Sequence, residues 1–141
     1  MMWKSGTFLG RAVAGMALLA LATGCGPSVK GLTQEQIATV STRDVCLSIH
    51  YNGASGWPEL VRRKAVSPAN EADVEAGIAR VGFNFCEVLA AWGREDASVV
   101  THLAHGDRIK ARWIIWDNNG FSHTWIIKFE DNVSVSFTQS N

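Results

Sequence analysis

The stretch "THLAHGD" brings His102, His105 and Asp107 close together, and imidazoles beside a carboxylate are ligand types for a transition-metal centre. Such a centre needs its ligands held in defined geometry and backed by further hydrogen bonds. This run is polar and has no helical period to space the three groups, so it reads as a solvated loop and not a metal site. His50 reads as a partly buried polar residue on a helix, and His123 begins a strand. No Ser-His-Asp order, phosphate-cradling glycine loop or paired-carboxylate pattern stands out. A hydrolase or metal enzyme built on "THLAHGD" would also need a concave polar site. The residue types therefore point to no enzyme, catalytic residue, metal, cofactor or small-molecule substrate.

Cysteine offers different chemistry. Lys4 and Arg11 open the chain without an acidic residue, and an apolar run from Ala12 to Ala22 follows, interrupted by Gly15. This is the pattern of a secretory leader. The run is about eleven residues, short of the roughly twenty needed to span a bilayer as a helix. Ala22, Thr23 and Gly24 then lead directly into Cys25, which resembles the lipobox of bacterial lipoproteins. The resemblance implies that residues 1–24 are a removed signal peptide and that Cys25 becomes the acylated first residue, carrying palmitate as its anchor. Gly26 in place of Asp implies, by the sorting rule of enteric lipoproteins, the outer membrane, facing the periplasm. Acyl chains contribute about 0.8 kcal/mol per buried CH₂, so the domain itself needs no membrane-binding surface.

Processing changes the composition that remains. Eleven basic residues then stand against thirteen acidic ones, a net charge of −2. No basic stripe of the kind that binds nucleic acid is present. Of the three cysteines, Cys46 and Cys86 remain. In an oxidising compartment this even pair invites a disulfide, the alternative being two separately buried thiols on their own helices.

The elements that must position these groups follow from caps and periods. The 141 residues suit one domain: "GPSVKG" reads as a tether within residues 25–32, and residues 33–141 as a single α+β domain. Thr33 and Gln36 have capping-box spacing. Val45 and Ile49 share a helical face, and Asn52-Gly53 can end a helix over 42–51. "WPELVRRK" starts a second helix with Pro58, and "SPANEADVEAG" a third, with Ser67 as cap, Pro68 first and Gly77 closing. In "NFCEVLAAWG", Asn84 and Glu87 form a further capping box and Gly93 is placed to terminate. Phe85, Val88, Leu89 and Trp92 make one apolar stripe.

The last third changes period. "RWIIW", "HTWIIKF" and "VSVSF" predict a three-stranded antiparallel meander on which the N-terminal short helices pack. A three-residue loop at Glu130 to Asn132 would pair Phe129 with Val133, Ile127 with Val135 and Trp125 with Phe137, keeping one face apolar, whereas a two-residue loop would mix faces. Trp113 and Ile115 join that core face. The other face shows Thr124, Lys128, Ser134 and Ser136, together with Ile114, Trp116 and Ile126. Six tryptophans are many for this length, and most read as core. Ile114, Trp116 and Ile126 instead form a partner-binding patch if helices cover one side only, or are covered by an N-terminal helix.

"IARVGFNFCEVLAAWG", "RIKARWIIW" and "WIIKFEDNVSVSF" together resemble the helix, Trp strand and final hairpin of small outer-membrane lipoproteins of the BamE (SmpA/OmlA) type. "DVCLSIHYN" and "ELVRR" resemble the N-terminal half of short relatives of that group. Phe83 stands where the family has Met, Arg94 where it has Pro, and Asn132 where it has Gly, so the resemblance is to a divergent relative more than to the assembly factor itself. It spans residues 42–138 and implies helices packed on an antiparallel sheet. It also implies a function exercised through contact with another envelope protein, in envelope or outer-membrane protein assembly. The alternative is a tethered inhibitor or immunity protein that binds a secreted enzyme.

Overall fold

Residues 28–140, apart from His105, are described by a computed structural model of the chain. The signal-peptide and Cys25 assignments lie outside the described residues. Helix α1 (Gln34–Ala38) is short and is started by the capping box: Gln36 N–H donates to Thr33 Oγ1 and Thr33 N–H to Gln36 Oε1. Ser41 caps α2 (Thr42–Asn52), and Gly53 ends it at φ +80°, where a side chain would be strained. Pro58 occupies the first turn of α3 (Trp57–Arg62), where its missing N–H costs no hydrogen bond. Ser67 stands at the start of the next segment but its side chain makes no capping bond, while its own N–H donates to the Glu87 carboxylate at 2.7 Å. That segment is a 3₁₀ turn (Pro68–Asn70) followed by α4 (Glu71–Glu75).

Helix α5 (Phe85–Trp92) is the centre of the molecule. Asn84 and Glu87 form the reciprocal cap at 2.9 Å in each direction. Glu87 is buried, and its carboxylate also accepts from Ser67 N–H and Asn70 Nδ2, so its oxygens are satisfied. One side of α5 lies on the sheet: the Phe85 ring centroid is 5.1 Å from Phe129 and 5.7 Å from Trp113, and Trp92 is 5.6 Å from Phe137. The opposite side meets α2, to which it is joined by the Cys46–Cys86 disulfide with Cα atoms 5.4 Å apart. The molecule is therefore layered: sheet, α5, then α2.

Four strands, not three, build the sheet: β1 (Ala97–Leu103), β2 (Gly106–Trp116), β3 (Ser122–Glu130) and β4 (Val133–Ser140), antiparallel in sequence order. The additional strand is β1, in the region expected to be a loop. Every residue of β1 is exposed, so it carries no buried face and hence no alternating pattern. The ladder to β2 holds it.

The register of the last hairpin also differs from expectation. Asp131 and Asn132 form a two-residue turn at φ +48° and +64°, pairing Glu130 with Val133 and Phe129 with Ser134. Two consecutive positive-φ residues make a type I′ turn, whose twist matches the strands. The predicted mixing of faces is avoided by a bulge. The register shifts between Lys128 and Phe129, leaving Val135 as the extra residue, and Ile127 then pairs with Phe137 and Trp125 with Gln139. Val133 and Val135 are consequently exposed rather than core. Ser134, expected on the outer face, is buried, and its hydroxyl donates to Arg80 O.

Core packing starts earlier than the tether reading implied. Val29 is 2 % exposed, and its N–H donates to Ser48 Oγ at 2.9 Å. A Cβ on Gly56 would meet Val45 and Val29, so this glycine allows their close approach. On the far side of α3, Glu59 is 4 % exposed and accepts from Arg62 and Arg63. Arg63 also reaches Ile37 O and Thr42 Oγ1, tying α3 to α1 and α2. The Arg62 guanidinium, and after it Arg63, holds the Glu59 carboxyl down at about 2.

Candidate functional site

Side chains alternate along a strand, so β2 divides its residues between two environments. Ala111 and Trp113 point to α5 and are buried, and Trp113 Nε1 donates to Gly93 O at 2.9 Å. Ile114 is 43 % exposed and Trp116 68 % exposed. They share the outer face with Ile126 of β3, which is half-buried, and with Arg108, Lys110, Arg112 and Lys128. The helices lie on the other face, so this apolar patch is uncovered among the described residues. Phe121, beyond the end of β2, is also 68 % exposed.

The cations of this face are answered unequally. Arg108 lies 3.6 Å from Glu130, and Arg112 is ion-paired with Asp96. Lys110 and Lys128 sit directly opposite each other in the β2–β3 register, both exposed, with no ion-pair partner among the described residues. A shallow groove of about 540 Å³ runs past them, flanked by Val99, Thr101 and Arg108.

The turn that carries the apolar end is rigidly built. Asp117 Oδ1 accepts from the N–H groups of Asn119 and Phe121, and Oδ2 lies 3.2 Å from His123 Nε2. These bonds, led by the one from Phe121, hold the Asp117 carboxyl below its usual range. Gln139 Nε2 lies 2.9 Å from His123 Nδ1. Both ring nitrogens are thus engaged, and this imidazole braces the hairpin.

The "THLAHGD" reading needs correction in one respect. His102 lies on β1 and Asp107 on β2, paired across the hairpin with His102 Nδ1 2.7 Å from Asp107 Oδ1. Strand register, not a helix, brings them together. Both are well exposed, and no cluster of metal-ligating groups of three or more occurs among the described residues. His50 is exposed rather than partly buried, with Nδ1 3.1 Å from Ala91 O. Among the described residues no helix is long and apolar enough to cross a membrane. Sequence reasoning missed Lys110 and Lys128 as a facing pair, although "RIKAR" and "IIKF" show one lysine on each strand; without the register their opposition was invisible. Comparison of the chain with protein-family models, with curated proteins and with solved structures gives no match.

Proposed function

We propose that this chain is an outer-membrane-anchored periplasmic lipoprotein, a divergent member of the BamE-like group, that acts in envelope or outer-membrane protein assembly. It works through protein contact and not through catalysis, and the outer face of its sheet is the contact surface. The observation that carries this reading is Trp116, 68 % exposed beside Ile114 on a sheet face that the helices leave open. A large exposed aromatic has few rotatable bonds to order on docking and gains much buried area, the usual character of an interface anchor. The lipobox resemblance supplies the anchor, Cys25, and the disulfide suits an oxidising compartment.

The test places a photoreactive side chain at position 122, whose Ser122 lies opposite Trp116, in the full-length protein in its native membranes. We expect one reproducible protein adduct, reduced at least tenfold by Trp116→Ser. Labelled palmitate should enter the wild type and not Cys25→Ser. Absence of any protein adduct, or palmitate labelling that survives Cys25→Ser, would overturn the reading.

A further inference from the structure

Two halves of the open face lie end to end on the same pair of strands. Ile114 and Trp116, with Ile126 beside them, are apolar; Lys110 and Lys128 are cationic and unanswered. A like-charged pair directly across a ladder opposes folding, and both lysines are exposed. The excess positive charge also belongs to a domain whose processed form carries a net charge of −2, so it is local to this face and not a property of the whole surface. Lys110 and Ile114 are four residues apart along β2, which is about 13 Å of strand. An extended segment laid along β2 covers that distance with side chains at its own first and fifth positions, both on the same side.

Resting on the protein-contact reading above, we infer that the occupant of this face is an extended acidic segment of the partner protein. Its carboxylates sit between Lys110 and Lys128, and an apolar residue about four positions away packs on Ile114 and Trp116. Arg108 and Arg112 already have Glu130 and Asp96, so the two lysines are the groups with charge left to give.

A phospholipid headgroup offers similar negative charge, but the layering disfavours it. Val29 fastens the chain to α2 at Ser48, and Cys46, joined to α5, lies about 200° around the helix from Ser48. From Cys25 to Val29 the chain reaches at most about 14 Å. The lysines lie beyond α2 and α5, about two helix diameters or 20 Å further from the anchor side. The face therefore looks away from the bilayer.

The experiment uses full-length chain in native membranes with the photoreactive group at position 122. Charge reversal, Lys110→Glu with Lys128→Glu, should lower the protein adduct at least tenfold, and Lys110→Arg with Lys128→Arg should hold it within about twofold. Both variants are surface changes, and intact near-ultraviolet circular dichroism confirms that each is folded. A zero-length carbodiimide should join Lys110 or Lys128 to an Asp or Glu within a few residues of the position captured by the photoprobe. An adduct unaffected by charge reversal, or lysine links to carboxylates far from the captured position, overturns this inference and leaves the protein-contact reading standing. Adducts formed with phospholipid in place of protein overturn both.

Discussion

Toward its C-terminal end, β2 carries similar apolar residues on its two faces, with opposite fates. Trp113 and Trp116 are separated by two residues on one strand, yet Trp113 is fully buried with its indole N–H bonded, while Trp116 is two-thirds exposed. Ala111 and Ile114 repeat the contrast. Hydrophobicity alone does not decide which side of a sheet becomes core; the layer packed against it does. Helix α5 carries Phe85 and Trp92 toward one face, and the other face receives nothing from the described residues. The outward Ile114 and Trp116 are therefore left at the surface by the described residues, in contrast to Ala111 and Trp113.

That contrast can be broken most strongly from the inside. Trp113→Ala should cost about 5 kcal/mol, the upper end for truncation of a large aromatic, since it empties the centre of the inner face and also strands the Gly93 carbonyl. Urea denaturation measures it. Next in size is the link that holds α2 over α5. Opening the Cys46–Cys86 bond frees a loop of 40 residues, and loop-closure entropy puts the loss at about 4 kcal/mol. The double variant Cys46→Ser with Cys86→Ser should unfold at correspondingly lower urea concentration, and reductant should then change nothing further.

A third perturbation uses pH. The Glu59 carboxyl is held at about 2 in the folded protein against an ordinary 4.5. A depressed carboxylate stabilises the fold fully above its unfolded value and loses that contribution as pH falls. The stability gap between wild type and Glu59→Gln should therefore be constant above about pH 5 and should close between pH 4.5 and 2; a gap independent of pH there would refute the assignment. The smallest effect is expected outside. Trp116→Ser should change stability by less than about 0.5 kcal/mol while abolishing partner capture. A loss approaching that of Trp113→Ala would mean that both faces are core and would remove the basis for the interface.

The assignment of Trp113 and Ile115 to the inner face, and of Ile114, Trp116 and Ile126 to the outer, was legible because side chains alternate along strands and Trp125, Ile127 and Phe129 mark the inner face of β3; whether a helix covers the outer face was not. Helix α5 was legible to the residue because its cap, stripe and terminating glycine agree. What escaped was structure not written in burial. Strand β1 exposes both faces, and Val99 next to Val100 gives no period of two. The bulge at Val135 lets a two-residue turn keep the faces sorted, an outcome that counting residues across an ideal ladder excludes. Val29 is a lone apolar residue in a Gly-Pro-Ser setting, and only its bond to Ser48 shows that it is core. The pairing of Lys110 with Lys128, like that of His102 with Asp107, depends on register and so becomes visible only when the strands are aligned.

The disulfide also bears on when the domain can fold. It joins the helix that receives Val29 to the helix that carries the sheet, so both helical layers depend on a bond that forms only where an oxidant is available. A newly made chain in a reducing compartment lacks a contribution comparable to a large part of the usual net stability of a small domain. The two helical layers are therefore fastened more tightly in an oxidising compartment than in a reducing one.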